Sequence, residues 1–402
     1  MNNWKSQFPT LSNKDDLAYF DSAASTQTHS RVITAIVNYY EWARCNIHRG
    51  DYEISRNVSD EVDAARESVA ELINAKPEQI IFTSGATEGL NMIAEWYKNV
   101  PTVFITELEH SANVVPWLAQ GRNTENGKLR LIPTHENGDI DLHELNKTLS
   151  SHQGSLVSIV ATSNVTGTDT PWTAIAQIAK SNGCAVAVDA CQTVGSHKLD
   201  VEANPDIDFA VFSGHKMYGP TGIGILYSKH DVNSLRPTKL GGGAVMHYDV
   251  KGNVVFNEGP EKHEPGTPNI SGILGLGVAA EWINYIGYDE IINRIMNVNR
   301  YLVDAGLYDI KGLKCVNPQL ELATASPTNI ASFVVRGAHP SDVGALLGSK
   351  GVAVRAGKLC AHHIVNKLSS SGILRVSWSV YNTEEDCKKL VEELCQAMNK
   401  LK

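Results

Sequence analysis

Three kinds of side chain in this sequence could act together: a lysine beside a glycine-rich turn, an aspartate ending an apolar run, and a cysteine in a loop rich in small residues. Lys216 lies in Ser213-Gly214-His215-Lys216-Met217-Tyr218-Gly219-Pro220-Thr221-Gly222, just past the apolar run 207–213. That is the strand edge where open α/β sheets bind ligands. An amine enclosed there can lose enough basicity to attack an aldehyde. Ser213 and His215 add hydrogen-bonding groups, and the glycines let backbone approach a ligand closely. Asp189 ends the neighbouring run 184–190 and Gln192 follows about one turn later, so a carboxylate and an amide reach the same edge as Lys216. Such a carboxylate keeps a pyridine-type nitrogen protonated and makes the ring an electron sink. Ser84-Gly85-Ala86-Thr87 reads as a tight turn into a helix N-terminus, which attracts phosphate through free N–H groups and the helix dipole, although it lacks the Walker pattern.

The elements that must position these groups are legible as periodicity. Between 155 and 228, short β-branched runs alternate with an amphipathic stretch. Strands are predicted at 155–162, 184–190, 207–213 and 222–228. The helix between the first two opens with Thr170 as N-cap and Pro171 in its first turn, and stops at Asn182-Gly183. Upstream, 79–83 and 102–106 read as further strands, the first leading into a helix near Thr87. Downstream, 272–288 reads as one connecting helix, 330–335 and 351–355 as strands, and Thr383 as the cap of a helix. That last helix would bury Cys387, Leu390, Val391, Leu394, Cys395, Met398 and Leu401. The expected architecture is α/β: a large domain over 17–270 with a mainly parallel central sheet flanked by helices, then a connecting helix and a smaller α+β C-terminal domain over 271–402. Residues 1–16 are expected to pack on the smaller domain.

Composition narrows the function classes. The 402 residues are 42% hydrophobic and 20% charged, with 35 basic against 44 acidic side chains and no basic block, which argues against nucleic acid or an anionic membrane surface as partner. The first ten residues lack a basic segment followed by an apolar one, and no run of about 18 apolar residues occurs, so a cytoplasmic location is expected. Seven cysteines, an odd number with no CxxC, fit free thiols in a reducing compartment. Cys45, Cys184, Cys191 and Cys315 read as small core residues. No metal site is expected.

The motifs Tyr19-Phe20-Asp21-Ser22-Ala23-Ala24, Asn46-Ile47-His48-Arg49-Gly50, Glu109-His110-Ser111-Ala112-Asn113, 213–222, Glu264-Pro265-Gly266-Thr267-Pro268-Asn269 and Arg355-Ala356-Gly357…Cys360-Ala361 occur in that order. From about Leu17 onward the chain resembles the class V aminotransferase fold, a fold type I architecture dependent on pyridoxal 5'-phosphate (PLP). Within it, the chain resembles the group II cysteine desulfurases and selenocysteine lyases of Suf and Csd type. The resemblance implies that Lys216 forms the covalent link to PLP and later moves protons at the substrate Cα. Asp189 would pair with the pyridine nitrogen, Gln192 with the ring 3′-oxygen, and His110 would stack on the ring. Ala86, Thr87, Ser213 and His215 would hold the phosphate, and Thr267 would reach the phosphate of the other subunit in a homodimer. Asn164 and Arg375 would hold the α-carboxylate of L-cysteine, or of L-selenocysteine, for which a planar guanidinium is well suited. Cys360 would take the sulfur as a persulfide and pass it to an acceptor protein, with L-alanine released. The family carries a histidine directly before that cysteine, whereas this chain has Lys358-Leu359, and the Lys358 charge is the expected substitute for favouring the thiolate. Alternatives on the same fold are a selenocysteine lyase and a C–S lyase releasing sulfide. A catalytically silent binding protein is disfavoured by the joint presence of Lys216, Asp189 and Arg375.

Overall fold

The computed structural model describes residues 4–14, 16–47, 50–135, 139–317 and 328–401. His48 and Arg49 of the 46–50 motif lie outside the described residues. The large sheet is built from β1 (Ile80–Thr83), β2 (Val103–Ile105), β3 (Leu129–Leu131), β4 (Leu156–Val160), β5 (Ala185–Asp189), β6 (Phe209–Ser213) and β7 (Gly224–Ser228), in the spatial order β1-β7-β6-β5-β4-β2-β3. β7 runs antiparallel to both neighbours and every other pairing is parallel. β4 and β6 are buried along their whole length. Helices covering both faces of a parallel sheet cause this, and so these strands read as nearly continuous apolar runs instead of alternating ones, with Ser158 inside β4 satisfied by donating to Asn113 Oδ1 at 2.6 Å. Register aligns Val160 with Asp189 and Asp189 with Val211, so the strand ends that carry chemistry lie at one level.

The strands are shorter than the apolar runs that predict them, because the flanking apolar residues turn off the ladder. Thr170 is not the N-cap of the following helix. That helix spans Trp172–Ser181 with Pro171 at its cap position, and the Thr170 hydroxyl donates to the Val160 carbonyl at 2.6 Å, satisfying the end of β4. The expected single helix over 272–288 is also corrected. It runs Ile270–Ile286, capped by Asn269, whose Oδ1 accepts the Gly272 N–H at 3.1 Å, and it ends at Gly287. Gly287 adopts φ +81°, open to a residue without Cβ, and the chain bends 82° into a second helix, Tyr288–Asp304. Among the described residues no single helix is long and apolar enough to cross a membrane. The apolar Ile270–Ile286 helix instead packs so tightly that a Cβ on Gly277 would sit 2.6 Å from that of Ala65.

A second sheet of β8 (Leu313–Cys315), β9 (Ile330–Val335), β10 (Arg355–Gly357) and β11 (Ile373–Ser377) is antiparallel, in the order β8-β9-β11-β10. The Glu384–Lys400 helix opens with a Thr383/Asp386 capping box and buries Cys387, Leu390, Val391, Leu394 and Met398, while Cys395 and Leu401 are only partly buried. Near the N-terminus, Phe8 is fully buried with ring centroids 4.8 Å from Tyr381 and 6.1 Å from Trp282, and Lys5 pairs with Asp386 at 2.8 Å. The segment thus wedges between the long apolar helix and the C-terminal region.

Candidate active site

The carboxyl edge of the large sheet opens into a cavity of ≈ 300 Å³. Ala86, Thr87, His110, Asn164, Asp189, Gln192, Ser213, His215, Lys216, Cys360 and Arg375 all line it. Asp189 and Ser213 are the last residues of β5 and β6, and Lys216 closes the 3₁₀ turn Gly214–Lys216 that follows. That turn is braced from the N-terminal segment: Thr26 N–H donates to the His215 carbonyl at 2.9 Å, and the Thr26 hydroxyl accepts the Tyr218 N–H at 2.7 Å. Gly195 lets the two loops close, since a Cβ there would lie 2.4 Å from the Lys216 carbonyl oxygen.

At one end of the cavity the Ala86–Trp96 helix begins, with Gly85 at its cap and the Ala86 N–H donating to Ser213 Oγ at 2.9 Å. Gly224 is pressed against this turn, its notional Cβ only 2.6 Å from Gly85 Cα. At the other end, Arg375 on β11 is buried and donates from Nη1 to the Asn164 carbonyl at 2.9 Å and from Nη2 to Asp21 at 3.2 Å, leaving Nε buried without a partner. Asn164 donates its amide to the Leu359 carbonyl at 2.9 Å, and its Oδ1 is likewise buried and unpartnered. Gln192 donates to the Ala23 carbonyl at 2.8 Å.

The electrostatics are uneven. Burial and the Lys216 charge hold His215 down at about 4. Burial and Lys216, outweighing Asp189, lower His110 as well. His110 Nδ1 accepts the Ala112 N–H at 3.1 Å, so the neutral ring carries its proton on Nε2. Both imidazoles are therefore neutral near pH 7. Beneath His110, Glu109 is buried and takes hydrogen bonds from Thr106, Asn113 and Val160; burial outweighs them and raises it to about 7.

Thr267, expected to serve the other subunit, lies outside this cavity, exposed in a separate surface depression with Asn46, Gly242 and Gly243. Other expectations need correction. Lys358 does not place its ammonium for the thiolate, because Nζ is engaged by Asn366 Oδ1 at 2.6 Å and the Ser369 and Ser370 carbonyls at 3.1 and 2.6 Å. Cys191 packs against the core but also lines the cavity, where burial and Asp189 push its thiol well above the ordinary range. Asp21 and Arg355, quoted only within motifs, join the site as an ion pair at 2.7 Å. Chain separation hid them: Asp21 meets Arg355 and Arg375 across more than 330 residues, beyond any spacing rule.

The residues present fit PLP. A buried carboxylate, an amine, neutral imidazoles, a helix N-terminus with a glycine turn and an orphaned guanidinium Nε surround one space of suitable size. The aminotransferase class-V family model matches residues 18–390. The chain is 36% identical over 409 residues to a cysteine desulfurase of Serratia proteamaculans, covering 99% of this chain and 98% of that protein. It is 35% identical over 400 residues to one of Cronobacter sakazakii, covering 97% and 96%. Among solved structures, it superposes on the S-sulfonic acid form of the cysteine desulfurase CsdA from Escherichia coli with a TM-score of 0.86 at 31% identity, covering 99% of this chain and 98% of the other. For the apo cysteine desulfurase of Thermococcus onnurineus the TM-score is 0.89 at 30% identity, with 100% and 99% covered. On fold, cavity and full-length similarity alike, the chain belongs to the PLP-dependent class V aminotransferase family, in its cysteine desulfurase branch.

Proposed function

We propose that this chain converts L-cysteine to L-alanine and holds the sulfur as a persulfide on Cys360, in the manner of the group II enzymes. One observation carries the reading: an exposed thiol, Cys360, lines the same cavity as Lys216, Asp189, His110 and Arg375. When bound, PLP supplies an electron sink that weakens bonds at the substrate Cα and Cβ. Asp189 would hold the ring nitrogen protonated, Gln192 would donate its remaining N–H to the ring oxygen, His110 would cover the ring face, and Ser213, His215, Thr87 and the Ala86 N-terminus would hold the phosphate. Arg375 receives the substrate carboxylate through its unpartnered Nε, and Asn164 borders the same spot. Lys216 takes the Cα proton and returns it to Cα once the sulfur has left. The Cys360 thiolate attacks substrate Sγ; the S–S bond forms as the Cβ–S bond breaks, and Cβ gains a proton, so one cysteine and one enzyme thiol become one alanine and one enzyme persulfide. Neutral His110, with its proton on Nε2, is the donor closest in sequence to the Cys360 contact at Ser111.

Thr267, being exposed and outside the cavity, suits the phosphate of a second copy, which makes a homodimer the working assembly. L-Selenocysteine is the expected second substrate, an acceptor protein the expected sulfur sink, and the cytoplasm the expected location. The test is incubation of the holoprotein with L-cysteine, measuring alanine, pyruvate and sulfide with and without a thiol acceptor. Alanine with Cys360-bound persulfide supports the reading. Sulfide and pyruvate at an unchanged rate in Cys360→Ala would replace it with a C–S lyase. Lys216→Ala should lose both the visible absorbance of the bound cofactor and turnover.

A further inference from the structure

Leu359 and Cys360 both adopt φ +52°, a left-handed conformation that costs any residue with a Cβ and persists only where the surroundings hold it. Two groups from the large-sheet side hold it here. Ser111 donates to the Cys360 carbonyl twice, from its backbone N–H and from its hydroxyl, each at 2.7 Å. Asn164 takes the preceding carbonyl, that of Leu359. Ser111 is itself anchored. It begins the 3₁₀ turn Ser111–Asn113, and Asn113 is tied through Glu109 to the Val160 N–H of β4. On the far side, Ala361 N–H closes back onto the Lys358 carbonyl at 2.9 Å, and the Lys358 ammonium is spent on the chain before β11.

We propose that Ser111 is the positioning residue for Cys360: its paired donors hold the left-handed Leu359–Cys360 step, and so fix the thiol at the cavity beside His110. The inference rests on the reading of Cys360 as sulfur acceptor. It also accounts for how the loop is ordered although Lys358 makes no contact with the thiol. A free loop would relax toward right-handed or extended backbone and carry Sγ away from the substrate sulfur, while leaving the substrate's own binding groups untouched.

The experiment uses holoprotein with two readouts: single-turnover persulfide formation on Cys360 with L-cysteine, and alkylation of Cys360 by iodoacetamide at fixed pH, both by peptide mass spectrometry. Ser111→Ala, which loses one donor, should slow persulfide formation about five-fold, the rate equivalent of one net hydrogen bond, with KM and cofactor absorbance unchanged. Ser111→Thr should restore it. Ser111→Pro removes both donors, and the backbone accepts proline at the first position of a helical turn after His110 at φ −67°, ψ 149°. It should slow persulfide formation by about twenty-fold or more while speeding alkylation, because the freed thiol meets reagent in solution. In Ser111→Ala, adding Leu359→Gly should shrink the penalty, since glycine enters the left-handed region without strain. Wild-type persulfide rates in both Ser111→Ala and Ser111→Pro would overturn the inference, as would both readouts slowing in proportion. If the unmodified protein forms no persulfide, the functional reading fails; alkylation then still decides, unchanged labelling in Ser111→Pro refuting the clamp.

Discussion

Asp21→Asn tests whether a single carboxylate holds the substrate end of the site together. In the antiparallel pairing of β10 with β11, Arg355 stands directly opposite Arg375, two like charges across adjacent strands. Asp21 lies between them, 2.7 Å from Arg355 and 3.2 Å from Arg375. The two arms differ in worth. Arg375 is 3% exposed, and burial pulls its basicity down with Asp21 as the principal offset, so its loss strands a buried cation. Breaking a buried pair from one side costs about 3–5 kcal/mol. Arg355 is half exposed, and its arm is worth no more than about 1 kcal/mol. Unscreened repulsion between the opposed guanidiniums adds about 0.5 kcal/mol. Asn keeps the shape and one acceptor, which places the expected loss near the lower limit, about 3 kcal/mol. Urea unfolding of the holoprotein followed by far-UV circular dichroism measures it. Arg355→Ala alone should lose about 1 kcal/mol or less, and Asp21→Asn with Arg375→Leu should recover at least half of the loss, because both buried partners are then gone. An Asp21→Asn protein within about 1 kcal/mol of wild type would refute the assignment of Asp21 as the counterion of a buried arginine.

Two buried groups should tilt stability against pH in opposite directions. Burial and Arg31 hold His29 at about 4, below its unfolded value, so the unfolded chain binds the extra proton and stability falls as pH drops from about 6.5 through 4. Between pH 7 and 5 this residue should cost about 2 kcal/mol, and the difference between wild type and His29→Gln in urea unfolding at each pH should change by that amount. Glu109, raised to about 7 by burial, does the reverse: its contribution is complete below its unfolded value near 4.5 and is lost as pH rises from there to about 7, so Glu109→Gln should remove a fall of stability with rising pH between about 4.5 and 7 and leave the slope above 7 unchanged. Brief iodoacetamide treatment should label exposed Cys360 and spare Cys184, Cys191 and Cys387, whose thiols burial pushes up. Labelling of Cys191 at a comparable rate would contradict its enclosed place in the cavity. Thr383→Ala should remove the capping box of the last helix and lose about 1 kcal/mol.

Sequence alone located the strands of the large sheet except the partly buried edge strand β3, together with the groups attached to them. Strands buried on both faces are mostly apolar, and the polar residues that end them, Asp189 and Ser213, mark the edge where a ligand can sit; Lys216 follows within one turn. Order along the chain sufficed there because each group lies on or beside its own strand end. Local rules erred where a tertiary partner outbid a local one. The Thr170 hydroxyl serves β4 instead of its helix, and Gly287 breaks an apolar stretch whose periodicity continues across it. Tertiary structure alone decided the rest of the site. Asp21 between opposed arginines and Ser111 on the Cys360 carbonyl depend on which distant groups lie within about 3 Å, the reach of a hydrogen bond. Spacing along a chain carries no information about that reach once hundreds of residues intervene, because the fold and not the sequence interval sets the distance.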